Sequence, residues 1–546
     1  MASQLEIAFS GHLLLLCFPA WGHLRPLCSF ASKIVQERPN IAITFLTSGG
    51  LDKRIKGEID RYIPDNRAAN IRLVNIGGQG FDPFQLTPVI FDRFPDYYQK
   101  LVACESVQCQ TTGTIFPAIL SPTVAIVDFF LVPVLSAIRV ITGKTVPVLA
   151  WDSGAAFATL RLFGPEELGG LGDLPAKANL LAEATGRDIR ELSNPTKGEL
   201  VVLPGMPIQY DYEWFPQAPA NPVHADDLHI AAYRFITQCD GVICTSSSSY
   251  EPESIDALRK WLADSGNREL YIIGPLVPPG VGRVGVGLSD SAKSLELAGS
   301  ENGNDCQLFM DRVLRERGEK SLIYVSFGSF WCPKDEYLWL FVDILLELRF
   351  PFILSVASLK SNVPTEVTQK VKASGTGLIS KWAPQQTILN HPVTGWVLTH
   401  GGQNTLIETL AQGIPLITWP IAADQPANAA YLTLTLDVAF ELIQVRTGES
   451  GLRPLYRGVQ PTGTLDAVAS EARHVLQSAR GEEGEKKRRN AEVIRNNLKQ
   501  AWEEDGEGLT DLRRLLRDAL KKDYFLLFDE SIIMNNDADA QTQAAS

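Results

Sequence analysis

Two sets of polar residues stand out from the apolar background of this chain. In the first, His23 follows the run LLLLCF at 13–18, and Asp128 closes the run VAIV at 124–127. A histidine where a strand turns into a helix and an aspartate at a strand end share the carboxyl edge of a doubly wound sheet. There the aspartate can accept from Nδ1–H, fix the tautomer and leave Nε2 as a general base. The second set lies in the 44 residues from Trp382 to Gln425: the strand-like GWVLT ends at His400-Gly401-Gly402, Asn404 and Thr405 open a helix, and Gly413 closes it. A bare helix N-terminus offers free N–H groups and a positive dipole end, and paired glycines let a phosphate approach the backbone, which is the chemistry of a diphosphate cradle. Taken alone, His23 and Asp128 also fit structural helix caps, and the second set fits an ordinary strand-to-helix turn.

The elements that must position these residues follow from periodicity. The run 13–18, helical spacing of Leu24, Leu27, Phe30, Ala31, Ile34 and Val35, and the run IAITFLT at 41–47 make a βαβ unit. Further strands at 123–128 and 145–151 argue for a mostly parallel sheet covered by helices. Between Pro275 and Asn304 the chain turns to Gly, Ser and Pro, the composition of a linker. The pattern then restarts at 321–327, 352–356, 395–399 and 414–420. The expected organisation is a first α/β domain over 1–276, a linker over 277–304, a second α/β domain over 305–500, a helix over 501–525, and a disordered tail over 526–546. The charged segment 482–522 is read as a surface helix pair.

The chain has 546 residues and a net charge of −13, with 45% apolar and 21% charged residues. It can bury two cores, and its charge repels nucleic acid and anionic lipid. Eight cysteines without a CxxC pair indicate neither a disulfide framework nor a zinc site, and a reducing, cytoplasmic setting is expected. Leu13–Phe18 lacks the basic flank of a signal peptide, and no run is long enough to span a membrane. PAWGH lacks GxGxxG, there is no P-loop, and His391 and His400 are not at metal-ligand spacing. His12 is read as a surface residue ahead of the first strand.

The stretch Trp382–Gln425 resembles, over its whole length, the signature box of the UDP-dependent glycosyltransferases of plant secondary metabolism. The resemblance continues through PAWGHLRP at 19–26, VVLPGMP at 201–207, YEPESIDAL at 250–258, IIGPL at 272–276 and DRVLRERGEKSLIYVSFGS at 311–329. It implies the GT-B fold: two facing Rossmann-like domains with a C-terminal helix crossing back. Site roles are implied residue by residue. Trp382 stacks on uracil and the Ala383 backbone pairs with its edge; Gln385 and Glu408 take the ribose hydroxyls. His400, Gly402, Asn404 and Thr405, with Gly328 and Ser329, hold the diphosphate, where His400 and the helix dipole stand in for a metal cation. Asp424 and Gln425 bind the sugar. His23 is the base and Asp128 its orienting acid.

The expected reaction is inverting transfer of a hexose from a UDP-sugar, glucose first and glucuronate second, to a hydroxyl of an apolar small molecule, by a monomer without metal or other cofactor. A non-catalytic UDP-sugar binder is the alternative. One departure is Gln403, where the plant box carries Trp, so the sugar subsite is expected to be reshaped. Aromatic content suggests Trp21, Phe129, Trp151, Phe157 and Trp214 as walls of the acceptor pocket.

Overall fold

The computed structural model describes residues 9–63, 66–188, 196–218, 232–277, 288–357 and 363–520. The first half builds a seven-stranded parallel sheet from β1 (Gly11–Leu16), β2 (Ile41–Thr47), β3 (Ile71–Asn75), β4 (Val124–Asp128), β5 (Val148–Asp152), β6 (Gly241–Cys244) and β7 (Glu269–Ile272). Their spatial order is β7-β6-β5-β4-β1-β2-β3. Every residue of β1 is buried, because helices cover both faces. Strand alternation sends Leu14 and Leu16 into one core cluster and Leu13 and Leu15 into the other.

The second half repeats the plan with β8 (Leu322–Ser326), β9 (Phe352–Ser355), β10 (Gly377–Ser380), β11 (Thr394–Thr399), β12 (Leu416–Thr418) and β13 (Ala439–Glu441). These run parallel in the order β10-β9-β8-β11-β12-β13. Strand order reverses between β1 and β4 in one sheet and between β8 and β11 in the other. Such reversals open a crevice beyond the strand carboxyl ends, where doubly wound folds take ligands. The two Rossmann-like domains face each other through these edges.

Eight helices matter for the site: α1 (Trp21–Glu37), α2 (Asp52–Tyr62), α3 (Asp290–Ala298), α4 (Gln385–Asn390), α5 (Gln403–Leu410), α6 (Gln425–Ala430), α7 (Glu482–Gln500) and α8 (Glu507–Leu520). The C-terminal α8 crosses back to the first domain: Leu512, Leu515 and Leu516 join the cluster containing Leu13 and Phe30. Asp511 accepts from the Ile272 N–H at 2.6 Å, which ties the helix to the edge strand β7. The pair expected to lie on the surface is therefore half internal, since the leucine face of α8 is core.

His12 also departs from expectation. It lies inside β1, fully buried, with Nδ1 at 2.8 Å from the Leu120 carbonyl and Nε2 at 2.7 Å from Thr44 Oγ1. Those two partners satisfy a ring that sequence polarity alone assigns to water. Residues 278–287 of the expected linker and the whole expected tail lie outside the described residues, and Asp290–Ala298 of that linker form the helix α3. Among the described residues no helix is long and apolar enough to cross a membrane.

Candidate active site

The two strand-order reversals open onto one cavity of about 870 Å3 lined from both domains. On the first-domain side, His23 lies in the first turn of α1 and Asp128 ends β4, the strand next to β1. His23 Nδ1 is 2.8 Å from Asp128 Oδ2. A carboxylate can only accept, so Nδ1 carries the proton and Nε2 keeps its lone pair. The Trp151 indole donates to the His23 carbonyl at 3.3 Å, and Phe18 and Phe130 flank the ring at 5.7 and 5.5 Å. Burial lowers the His23 pKa, but the charge and hydrogen bond of Asp128, reinforced by Asp152 and Asp424, outweigh it and leave the group above its ordinary value.

The opposite wall comes from β8, β11 and α5. Gly402 is the N-cap of α5 and no side chain caps the helix, so its first N–H groups are open to a ligand. Two glycines hold the His400 ring between them. Gly328 has φ +71°, and a Cβ there would meet the ring at 3.0 Å; a Cβ on Gly402 would meet Nε2 at 2.6 Å. Burial pushes His400 down to about 4, so it is a neutral hydrogen-bonding group. Of the two features expected to stand in for a cation, His400 and the helix dipole, His400 therefore contributes as a neutral hydrogen-bonding group.

Trp382, Ala383, Gln385, Gln403, Asn404, Thr405, Asp424, Gln425 and Ser329 all border the cavity with His400, Gly402 and Gly328. Gln425 Oε1 accepts from the Ile421 and Ala422 N–H groups at 3.0 and 2.9 Å, which leaves its amide nitrogen for a ligand. Asp424 is held by Asn428 at 2.9 Å and, buried, is raised to about 6. Gln403 is 5% exposed, and among the described residues neither end of its amide has a partner. Such a group inside a protein calls for a ligand, because an unmet buried amide is costly.

Glu408 and Asp128 do not line the cavity; each acts from behind a residue that does. Glu408 accepts from Gln385 and Gln386 at 2.6 Å each and pairs with Arg25 of the first domain at 2.7 Å. Arg25 continues to Glu58 at 3.0 Å, Glu58 to Arg61 at 2.9 Å, and Arg61 to Glu296 at 3.6 Å. Glu296, on α3, accepts from the first N–H groups of α4 at 3.0 and 2.8 Å. Asn404 Nδ2 donates across the cleft to the Gly22 carbonyl, which is open because Pro26, four residues on, has no N–H. Arg54 lies 4.3 Å over the Trp382 ring.

Of the expected acceptor walls, Trp21 and Phe129 border the cavity. Trp151, Phe157 and Trp214 are core residues, each no more than 4% exposed. The aromatic lining comes instead from Phe18, Phe84, Phe130, Phe163, Phe330 and Trp331. Phe130 and Phe330 directly follow sheet-edge positions already singled out, and that adjacency was the available signal. Asp152, after Trp151 on β5, also faces the cavity; burial raises it to about 6 while Thr159 and the Gly154 N–H hold it at 2.5 and 2.9 Å.

The profile of the family described as "UDP-glucoronosyl and UDP-glucosyl transferase" matches residues 300–447. UDP-glycosyltransferase eriJ of Hericium erinaceus is 26% identical over 92% of this chain and 97% of its own length. Hydroquinone glucosyltransferase of Rauvolfia serpentina is 25% identical over 92% and 97%. Among solved structures, Phytolacca americana UGT2 complexed with UDP-2fluoro-glucose and pterostilbene superposes with a TM-score of 0.65 at 20% identity, covering 93% of this chain and 99% of that one. That likeness shows a shared two-domain fold.

Proposed function

We propose that this chain, a UDP-glycosyltransferase that moves sugar from a UDP-sugar to small-molecule acceptors, is an inverting glucosyltransferase acting on a hydroxyl of an aromatic, apolar acceptor. The observation that carries this reading is the meeting of both strand-order reversals at one cavity, with the His23–Asp128 pair on one wall and the uncapped N-terminus of α5 on the other.

In the proposed reaction His23 Nε2 takes the proton of the acceptor hydroxyl as that oxygen attacks the anomeric carbon. The bond from that carbon to the diphosphate breaks, and UDP leaves with its charge met by the first N–H groups of α5, Asn404, Thr405, Ser329 and His400. Attack from the face opposite UDP turns an α-linked donor into a β-glycoside. Asp128 keeps Nδ1 protonated and stabilises the imidazolium as it forms. Trp382 stacks on uracil, Ala383 pairs with its edge, and Gln385 with Glu408 reads the ribose. Asp424, Gln425 and Gln403 face the sugar, and the phenylalanines around His23 support an aromatic acceptor.

Transfer assays with UDP-glucose, UDP-galactose, UDP-xylose and UDP-glucuronate against a panel of phenols and sterols test the proposal. A β-glucoside, identified by its anomeric proton coupling, is expected from a phenol. An α-glycoside, or UDP binding without transfer to any of the panel, would overturn it.

A further inference from the structure

Cys17 follows the last residue of β1 and is fully buried, and the transfer chemistry makes no use of its thiol. Its Sγ lies 3.2 Å from Asp128 Oδ2, the same oxygen that His23 Nδ1 approaches at 2.8 Å. The thiol sulfur, a ring nitrogen and a carboxylate oxygen all fall within 4.8 Å of one another, and among the described residues this is the one place where three such side chains converge. We propose that Cys17, His23 and Asp128 form a binding site for a thiophilic divalent cation, zinc above all, which silences the enzyme by taking up its base. The inhibitory consequence rests on the catalytic reading of His23; the site itself does not.

The geometry fits the metal. A triangle with two sides of 2.8 and 3.2 Å and a third no longer than 4.8 Å has a centre at most about 2.5 Å from its corners. Zinc bonds its sulfur, nitrogen and oxygen ligands at about 2.0–2.3 Å, so small shifts of the side chains suffice. Two protons now occupy that space, the Cys17 S–H and the His23 Nδ1–H. Zn2+ entering releases the thiol proton to solvent and shifts the ring proton from Nδ1 to Nε2 by exchange through water, which leaves thiolate, carboxylate, neutral imidazole and dication, a cluster of zero net charge suited to burial. Three protein ligands leave a fourth position for water on the side where His23 borders the cavity. Magnesium and calcium, which take oxygen ligands, gain nothing from a thiolate.

Metal at Nδ1 leaves the ring neutral with its one proton now on Nε2, so the nitrogen that should accept the acceptor's proton becomes a donor. The nucleotide groups belong to the other domain and are untouched. Zinc therefore blocks transfer and spares UDP binding. Because Cys17 and Asp128 lie behind His23, inhibition develops slowly, as the ring moves aside to admit the ion.

The test uses the metal-free full-length protein. Titration with Co2+ is expected to give one equivalent of a near-ultraviolet thiolate-to-cobalt band that Zn2+ abolishes. The band is expected to disappear in Cys17→Ala and in Cys17→Ser, whose hydroxyl can still donate to Asp128 but ligates zinc poorly, and to persist in the exposed control Cys104→Ser. Half-inhibition by Zn2+, referred to each protein's own metal-free rate, should need at least about tenfold more metal in the Cys17 variants. UDP affinity by calorimetry should not change with Zn2+. Absence of the band from the wild type, its persistence in both Cys17 variants, or equal inhibition by Mg2+ overturns the site. A band that requires Cys17 while Zn2+ leaves transfer untouched upholds the site and instead removes His23 from catalysis.

Discussion

Arg25 of α1 and Glu408 of α5 form an ion pair of 2.7 Å across the cleft, with side chains only 12% and 6% exposed. The glutamate expected to read ribose is thus held by the other domain. Its second oxygen accepts from Gln385 and Gln386, so the carboxylate is fixed in place by three donors from α1 and α4. The cost of orienting it is met by the closed protein.

Arg25→Met should lower stability by about 3–5 kcal/mol, the usual loss when one partner of a buried pair is left alone. It leaves Glu408 without a cation, while Glu58 keeps Arg61. Glu408→Gln should cost less, since Arg25 retains Glu58. A double-mutant cycle in denaturant should give a coupling above about 1 kcal/mol, and strict additivity would mean the pair does not hold the domains together.

His23→Ala should retain UDP binding and lose transfer by about 10²–10⁴-fold, the size of a general-base contribution. Asp128→Asn should act in the same direction and add little to the His23 loss, because the carboxylate works through the ring. The sign of the pH effect follows from the raised His23 pKa. The base works when neutral, so kcat/KM rises with pH through a value above 6.5, and removing the Asp128 charge moves that limb to lower pH. Cys17, Asp152 and Asp424 also face the ring and remain in that variant. Near-normal turnover of His23→Ala would end the assignment.

Trp382→Ala should weaken UDP by about 1–3 kcal/mol through lost base stacking. The variant also removes the seat of Arg54, which rests on that ring. Calorimetry with UDP and with orthophosphate separates the two effects. UDP should lose affinity and orthophosphate should not, whereas a parallel change would assign the loss to Arg54.

The buried His12 offers a stability test away from the cavity. Burial lowers its pKa from 6.5 to about 4. The unfolded chain therefore binds a proton between those values that the folded chain refuses, and stability falls as pH drops from 6.5 towards 4. At 1.36 kcal/mol per unit the full effect is about 3 kcal/mol. Denaturant midpoints measured across that window should fall less steeply in His12→Gln, which keeps a donor and an acceptor but does not titrate.

The parts of this architecture that the sequence discloses are those set by local pattern. Buried parallel strands read as apolar runs, and Asp128 and His400 are legible because each closes such a run, His23 because it opens the helix that follows one. Face is harder to read. In β5 the uniform run VLAW gives no alternation, so Trp151 passes for a pocket wall, while it packs inward and its neighbour Asp152 reaches the cavity. The strands Ile71–Asn75, Gly241–Cys244 and Gly377–Ser380 are too short for periodicity to register. Contacts such as Arg25 with Glu408 depend on how two domains meet, which no local pattern encodes.

The remaining prediction concerns Gln403 and the donor sugar. Its amide is buried beside the α5 N-terminus with nothing to bond among the described residues. An amide donates and accepts, as neighbouring sugar hydroxyls require, and Asp424 and the Gln425 nitrogen supply further groups on the same wall. The indole found here in the plant box would donate only. UDP-glucose is therefore expected to give the highest kcat/KM of the four donors, with galactose discriminated through a single hydroxyl. For glucuronate, the nearby groups Asp424 and Asp152 are acids and would repel a carboxylate. Gln403→Ala should lower kcat/KM for UDP-glucose by about 10–100-fold, equivalent to one or two lost hydrogen bonds at about 1.4 kcal/mol each. Its affinity for UDP itself should stay unchanged. Equal loss for UDP and UDP-glucose would place Gln403 on the diphosphate, and a preference for another of the four donors would show that the amide has redefined which sugar the site accepts.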